Sequence, residues 1–226
     1  MEQLIIQIKH GGLGDHLFYS HIPRIAKESG YKKVFISNKS DFRKEDQKEL
    51  IWKLNPYVDG FTDLEGISIY TADVAEGENA NLLDKIMLGF GLDDGKRFHE
   101  PELYYKPKLI KELVGKTLYD PNYLSNAGFV DGPKIRSYFK RNNIKIDYQM
   151  AIRGKRSIPV FEFDKFLKCG PIYDFIDILY SVKDIYCMVT GTATLASALG
   201  KKASVFYTKD ISHVFRHSKI NNYIRL

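Results

Sequence analysis

Short apolar runs alternate along the chain with stretches whose apolar residues recur every three or four positions. That alternation predicts strands and helices in turn. Leu4 to Ile8 reads as a buried strand, and His10-Gly11-Gly12-Leu13-Gly14-Asp15 follows it at once. Leu17, Phe18, His21, Ile22 and Ile25 then share one helical face, which Gly30 ends. Pro23 lies inside that pattern, where it removes a hydrogen bond and predicts a kink or a restart. Lys33 to Ser37 is a second strand, and Asp46 to Leu54 a helix stopped by Asn55-Pro56. Val58 to Phe61 and Ile67 to Thr71 are weaker strand candidates, and Asn81 to Phe90 is a helix capped by Gly91.

Residues 92–108 are polar and hold two prolines, which reads as the end of the first unit and a linker. The alternation then restarts. Strands are expected at Lys116–Tyr119, Tyr148–Ile152, Ile158–Phe161, Asp184–Val189 and Ala203–Tyr207, and helices at Gly132–Asn142, Tyr173–Val182 and Thr192–Leu199. Strands alternating with helices imply βαβ units and parallel sheets, so the fold class is α/β. The expected division is 1–108 and 109–226, two consecutive α/β halves. Ligands of open parallel sheets sit at the carboxyl ends of the strands, so a crevice between two such sheets is the expected site.

Composition narrows the class. The chain has 226 residues, 44% hydrophobic and 27% charged, which fits a globular protein rather than a disordered one. A net charge of +6 is mild at this length and leaves a phosphorylated small molecule, an anionic membrane surface and nucleic acid open. Nucleic acid has no motif to support it. Two cysteines, Cys169 and Cys187, make neither a disulfide framework nor a zinc site of their own. No signal peptide and no apolar run long enough to span a membrane is visible, so a cytoplasmic protein is expected. The 15 Tyr and 14 Phe are read as packing.

Two turns carry the candidate chemistry. In the first, Gly11, Gly12 and Gly14 between a strand and a helix let a ligand approach the backbone, and the helix start favours phosphate or another anion. The spacing is neither G-x-G-x-x-G nor a P-loop. Asp15 is either an N-cap carboxylate or a general base that takes a proton from a hydroxyl; the two exclude each other only if the carboxylate faces the backbone. In the second turn, Thr190-Gly191-Thr192 follows a strand and opens a helix, so its N–H groups and hydroxyls can cap the helix or hold phosphate oxygens. Arg153 and Lys155, after the strand Tyr148–Ile152, are either a solvated loop or a diphosphate clamp. His10, His16 and His21 form no convincing metal set, so no metal is expected.

At these two turns the sequence resembles glycosyltransferase family nine, the heptosyltransferase group, as a short and divergent member. The matching segments are IIQIKHGGLGDHLFYSHIPRIAKESGYKKVFIS and VTGTATLASALGKKASVFYTKD, with looser likeness at NPYVDGF and GLDDGKRFHEPEL. Val189 stands where the family has an acidic residue or Ser, Thr194 where it has His, and Lys202 where it has Pro. Gly-Gly-Leu-Gly also occurs in fucosyltransferases, from which Asp15 and the second turn set this chain apart.

The resemblance implies a GT-B fold, two Rossmann-like parallel-sheet domains facing a central crevice. It implies a metal-independent inverting transfer from a nucleotide-sugar donor, with no cofactor, to a hydroxyl of a bacterial surface glycan such as lipopolysaccharide or capsule. Asp15 falls at the family's catalytic aspartate, and Thr190, Gly191 and Thr192 at its nucleotide-diphosphate turn. The acceptor expected is a glycan or lipid-linked glycan, which leaves room for peripheral contact with the inner face of the cytoplasmic membrane. A nucleotide-sugar hydrolase and a non-catalytic nucleotide-sugar-binding subunit are the alternatives.

Overall fold

The computed structural model describes residues 2–69, 79–123, 131–152, 157–159, 166–208 and 218–226. The chain folds as two compact units, Met1–Lys106 with His213–Lys219, and Pro107–Ser212 with Ile220–Leu226. Both are α/β with parallel sheets.

In the first unit, β1 (Gln3–Ile6), β2 (Lys33–Ser37) and β3 (Gly60–Thr62) pair in parallel in that order. Leu4 lies opposite Val34 and Ile36 opposite Phe61. Ile67 adds a single parallel bridge to Ile6 of β1. The strand expected at Ile67–Thr71 is therefore one bridge among the described residues, with 70 and 71 outside them. The first helical pattern is two helices, α1 (Leu13–Leu17) and α2 (Ile22–Glu28). Pro23 sits in the first turn of α2, where its missing N–H costs nothing. The pattern at 46–54 is α3 (Glu45–Lys48) running into a π-helical turn at Glu49–Lys53. That turn holds the chain's one tryptophan, Trp52, fully buried.

α4 (Leu82–Gly89) opens on a reciprocal cap. Asn81 Oδ1 accepts from Asp84 N–H, and the Asp84 carboxylate accepts from Asn81 N–H. The polar segment after α4 is not a loose linker at its start. Leu92 and His99 are buried, and Phe98 and His99 donate their backbone N–H groups to Asp84.

In the second unit, β4 (Thr117–Asp120), α5 (Gly132–Arg141), β5 (Tyr148–Met150), β6 (Phe166–Leu167), α6 (Ile172–Ser181), β7 (Asp184–Met188), α7 (Gly191–Ala198), β8 (Ala203–Tyr207) and β9 (Asn222–Arg225) follow one another. The six strands are parallel in the order β6-β5-β4-β7-β8-β9. The order runs outward one way from β4 and the other way from β7, so the point where it reverses lies between those two strands. β6 and β9 were not expected: β6 has two residues, too few to show periodicity, and β9 has only Tyr223 and Ile224 between Asn222 and Arg225, with no apolar run to mark it. Of the strand expected at Ile158–Phe161, Ile158 and Pro159 lie in no strand and 160 and 161 lie outside the described residues; Ser157 makes an antiparallel bridge to Asn122.

Aromatic residues build one face of this sheet. Phe139 of α5 stands edge-on to Tyr186 and Phe206, with centroids 5.1 and 5.6 Å away, and Tyr119 and Tyr138 complete the group. Such edge-to-face contacts add to the burial of large apolar area.

Candidate functional site

The first unit places His10 to Asp15 at the carboxyl end of β1. Gly12 is the N-cap of α1 and Asp15 is its third residue. Asp15 is thus not the N-cap: its Oδ2 reaches back to accept the Gly12 N–H at 3.1 Å. The glycines answer to carboxylates. A Cβ on Gly12 would lie 2.4 Å from Asp15 Oδ2, and one on Gly11 would lie 2.9 Å from the Asp41 carboxylate. Gly14 sits inside α1, where its carbonyl accepts from Phe18 N–H.

Asp15 is partly buried, and burial raises its pKa. The charge of His10, the Gly12 N–H and the charge of Arg43 act against that rise, while Asp41 adds to it. A raised carboxylate is a better proton acceptor toward a hydroxyl than an ordinary one. Asp41 and Arg43, on the loop after β2, were not expected in this group. They are far from Asp15 in sequence, and only the pairing of β1 with β2 brings the two loops together.

His16 is a core residue. Its Nε2–H donates to Asp41 O at 2.7 Å and its Nδ1 accepts from Trp52 Nε1–H at 3.0 Å. Both ring nitrogens are occupied, and burial pushes its pKa down to about 4. His21 is fully buried and stacks on His99, with burial holding its pKa at about 3. Among the described residues, no three His, Cys, Asp or Glu side chains group as a metal site, and no helix is long and apolar enough to cross a membrane.

The second unit places Thr190 to Thr192 at the carboxyl end of β7. Thr190 is the N-cap of α7, and its Oγ1 accepts from Thr192 N–H at 3.3 Å. The Thr192 hydroxyl donates to Asp120 Oδ2 at 2.6 Å. Its proton therefore goes to a carboxylate and its N–H to the cap, so Thr192 shapes the turn rather than adding a free donor to it. Gly191 N–H opens the helix, one of the donors a helix start leaves without an intrahelical acceptor.

Asp120, the last residue of β4, was missed by the sequence reading. Its side chain is buried and its Oδ1 accepts from Asn122 N–H at 3.1 Å and Asn122 Nδ2 at 2.7 Å. Asp120-Pro121-Asn122 is an Asx-type turn, and that signal was available in the sequence. Cys187 lies opposite Asp120 in the sheet, and burial pushes its thiol well up. It is an inert structural cysteine.

Gly12, Gly14 and Asp15 are thus assembled within the first unit, and Thr190, Gly191 and Thr192 within the second around the β4–β7 reversal. Arg153 and Lys155 lie outside the described residues.

No protein-family model and no curated protein sequence matches the chain. Solved structures do. The iron-containing dodecameric glycosyltransferase TibC from enterotoxigenic E. coli H10407 superposes with a TM-score of 0.65 at 12% identity, over 97% of this chain and 62% of that one. The glycosyl transferase family 9 protein of Veillonella parvula DSM 2008 gives 0.64 at 8% identity, over 100% and 85%. E. coli ADP-heptose lipopolysaccharide heptosyltransferase II gives 0.63 at 10%, over 100% and 91%. The chain shares their fold. It spans less than two thirds of the length of TibC.

Proposed function

We propose that the chain is a glycosyltransferase that moves a sugar from a nucleotide-activated donor to a hydroxyl of a bacterial surface glycan, with inversion and without a metal or other cofactor. One observation carries most of the weight: an aspartate with a raised pKa stands at a glycine turn after the first strand of a fold shared with heptosyltransferases. One of those structures holds ADP-D-beta-D-heptose and another ADP, which makes an ADP-sugar the first donor to try.

In this mechanism Asp15 accepts the acceptor hydroxyl's proton as that oxygen attacks the anomeric carbon. The bond from the anomeric carbon to the donor phosphate breaks, and the nucleoside diphosphate leaves with the electron pair. Thr190 and the backbone N–H of Gly191 hold the diphosphate, with Thr192 shaping the turn, and the oriented helix start stabilises charge as it develops. Gly12 and Gly14 keep the backbone close beside the substrate. Arg153 and Lys155 are assigned to the same diphosphate, where guanidinium and ammonium groups would neutralise it. The acceptor is a glycan or lipid-linked glycan, handled on the cytoplasmic side of the inner membrane.

The test is a transfer assay with ADP-heptose and other nucleotide sugars, with and without truncated lipooligosaccharide, in the presence of EDTA. Sugar appearing on the acceptor with an inverted anomeric centre supports the proposal. Release of free sugar at an undiminished rate without acceptor makes the protein a hydrolase. Binding of donor with neither outcome makes it a binding subunit.

A further inference from the structure

The carboxyl edge of the second unit's sheet holds a polar group that neither the fold nor the mechanism above uses. Thr208 directly follows β8, is 6% exposed, and its Oγ1 is shut off from solvent with no hydrogen-bond partner among the described residues. Met188 of β7 pairs with Phe206 of β8, and two residues further along the two segments lie Thr190 and Thr208. The unpaired hydroxyl therefore belongs to the same edge as the turn that opens α7. Folded proteins rarely leave a buried hydroxyl unpaired, and each exception calls for an explanation. The Gln149 side-chain amide is also buried with no partner among the described residues, but it lies opposite Tyr119 on the face of the aromatic cluster rather than beyond the strand ends.

We infer that Thr208 is a donor-binding residue, whose hydroxyl completes its hydrogen bonding on a phosphate oxygen of the nucleoside diphosphate. The inference rests on the transferase proposal above. The chemistry points to an anionic acceptor. Gly191 N–H and the positive end of α7 already favour negative charge at this edge, and a threonine hydroxyl adds one more donor. Thr192 cannot supply that donor, because its hydroxyl proton is held by Asp120. Thr208 fills the role that the sequence alone would give to Thr192.

The experiment compares wild type, Thr208→Val and Thr208→Ser by calorimetry with ADP, UDP, GDP and CDP, alongside thermal unfolding without ligand. Valine keeps the shape and removes only the unpaired hydroxyl, so the ligand-free melting temperature should hold or rise. Affinity for the nucleotide that wild type binds should fall about tenfold, the usual size for a hydrogen bond to a charged group. Serine should restore it. Affinity within twofold of wild type in Thr208→Val, with Thr190→Val weakened, overturns this inference and leaves the transferase proposal standing. Lower melting temperature together with weak binding that serine does not rescue gives Thr208 a structural role and also overturns it. If wild type binds none of the four, the inference and the diphosphate site fall together.

Discussion

Asp15 and Asp120 hold similar places in the two units. Each lies at the carboxyl end of the first strand of its sheet, Asp15 in the turn after β1 and Asp120 at the tip of β4. Their surroundings differ. Asp120 is buried and accepts from Asn122 twice and Thr192 once. Asp15 is partly exposed and accepts from Gly12 N–H through Oδ2. A carboxylate whose lone pairs are filled by the fold stabilises the fold. One that keeps an oxygen toward solvent, with burial raising its pKa, is available to take a proton. Residue type and topological position do not distinguish the two; hydrogen-bond satisfaction does.

The sharpest way to break the comparison is to remove each charge. Asp15→Asn should leave nucleotide affinity within about threefold and lower turnover by about 10²–10⁴-fold, the usual contribution of a positioned general base. Turnover close to wild type would reduce Asp15 to a partner of Gly12. Asp120→Ala should act on the fold instead. It takes the buried acceptor away from the Thr192 hydroxyl and removes one of the acceptors of Asn122, at a cost of about 1–3 kcal/mol in urea unfolding. Asp15→Ala, which frees only a partly buried N–H, should cost about 1 kcal/mol or less. Equal losses at the two positions would show that the contrast in satisfaction does not carry over to energy.

Gly12 tests the geometry that holds Asp15. In Gly12→Ala the new methyl would meet Asp15 Oδ2 at 2.4 Å, far inside contact distance, so the carboxylate must swing away. Turnover should drop about tenfold through misplacement, with unfolding changed by less than about 1 kcal/mol. Wild-type turnover in this variant would mean that the position of the carboxylate does not matter to the chemistry.

Much of the fold was legible in the chain. The helical stripe through Leu17, Ile22 and Ile25, with Pro23 within it, announced a break that appears as the gap between α1 and α2. The apolar runs at Lys33–Ser37 and Ala203–Tyr207 became strands with those bounds. Periodicity failed where elements are too short to repeat, as in β6, and at 46–54 it found the helix without the change of pitch at Glu49–Lys53. It said nothing of the contacts made at 92–102. Polarity marked the end of the first unit and a linker over 92–108, and the polar groups at its start are spent on one another. Asp84 binds the backbone and ring of His99, and Glu102 binds Arg24. Composition records that a residue is polar, not whether its partner lies fifteen residues away. The same blindness hid Asp120, whose partner Thr192 is remote in sequence. The two glycine- and threonine-rich turns could be found because their chemistry is local.

That hidden cluster supplies a pH-dependent counterpart to the contrast between filled and open carboxylates. His99 Nδ1 lies 2.6 Å from Asp84 Oδ1 and its Nε2 lies 3.2 Å from Asp94 Oδ2, while its ring stacks on neutral His21. The hydrogen bond to Asp84 is the main reason its pKa is raised, against the opposing effect of burial, and Asp94 adds to it. Burial pushes Asp84 the other way, but its bonds from His99, Phe98 and Asn81 hold it at about 2. The charged His99 thus contributes stability in full below its ordinary pKa of 6.5, and that contribution is lost as pH rises through the elevated folded value. Subtracting His99→Gln from wild type in urea unfolding cancels the opposing titrations of His16 and His21, to the extent that His21 keeps its environment. The difference should be largest below pH 6.5 and shrink steadily toward pH 9. This is the smallest of the expected effects, because only the part that changes with pH is read. A difference that stays flat or grows over that range would mean that His99 is held as a neutral ring, with its two carboxylates contributing packing rather than charge.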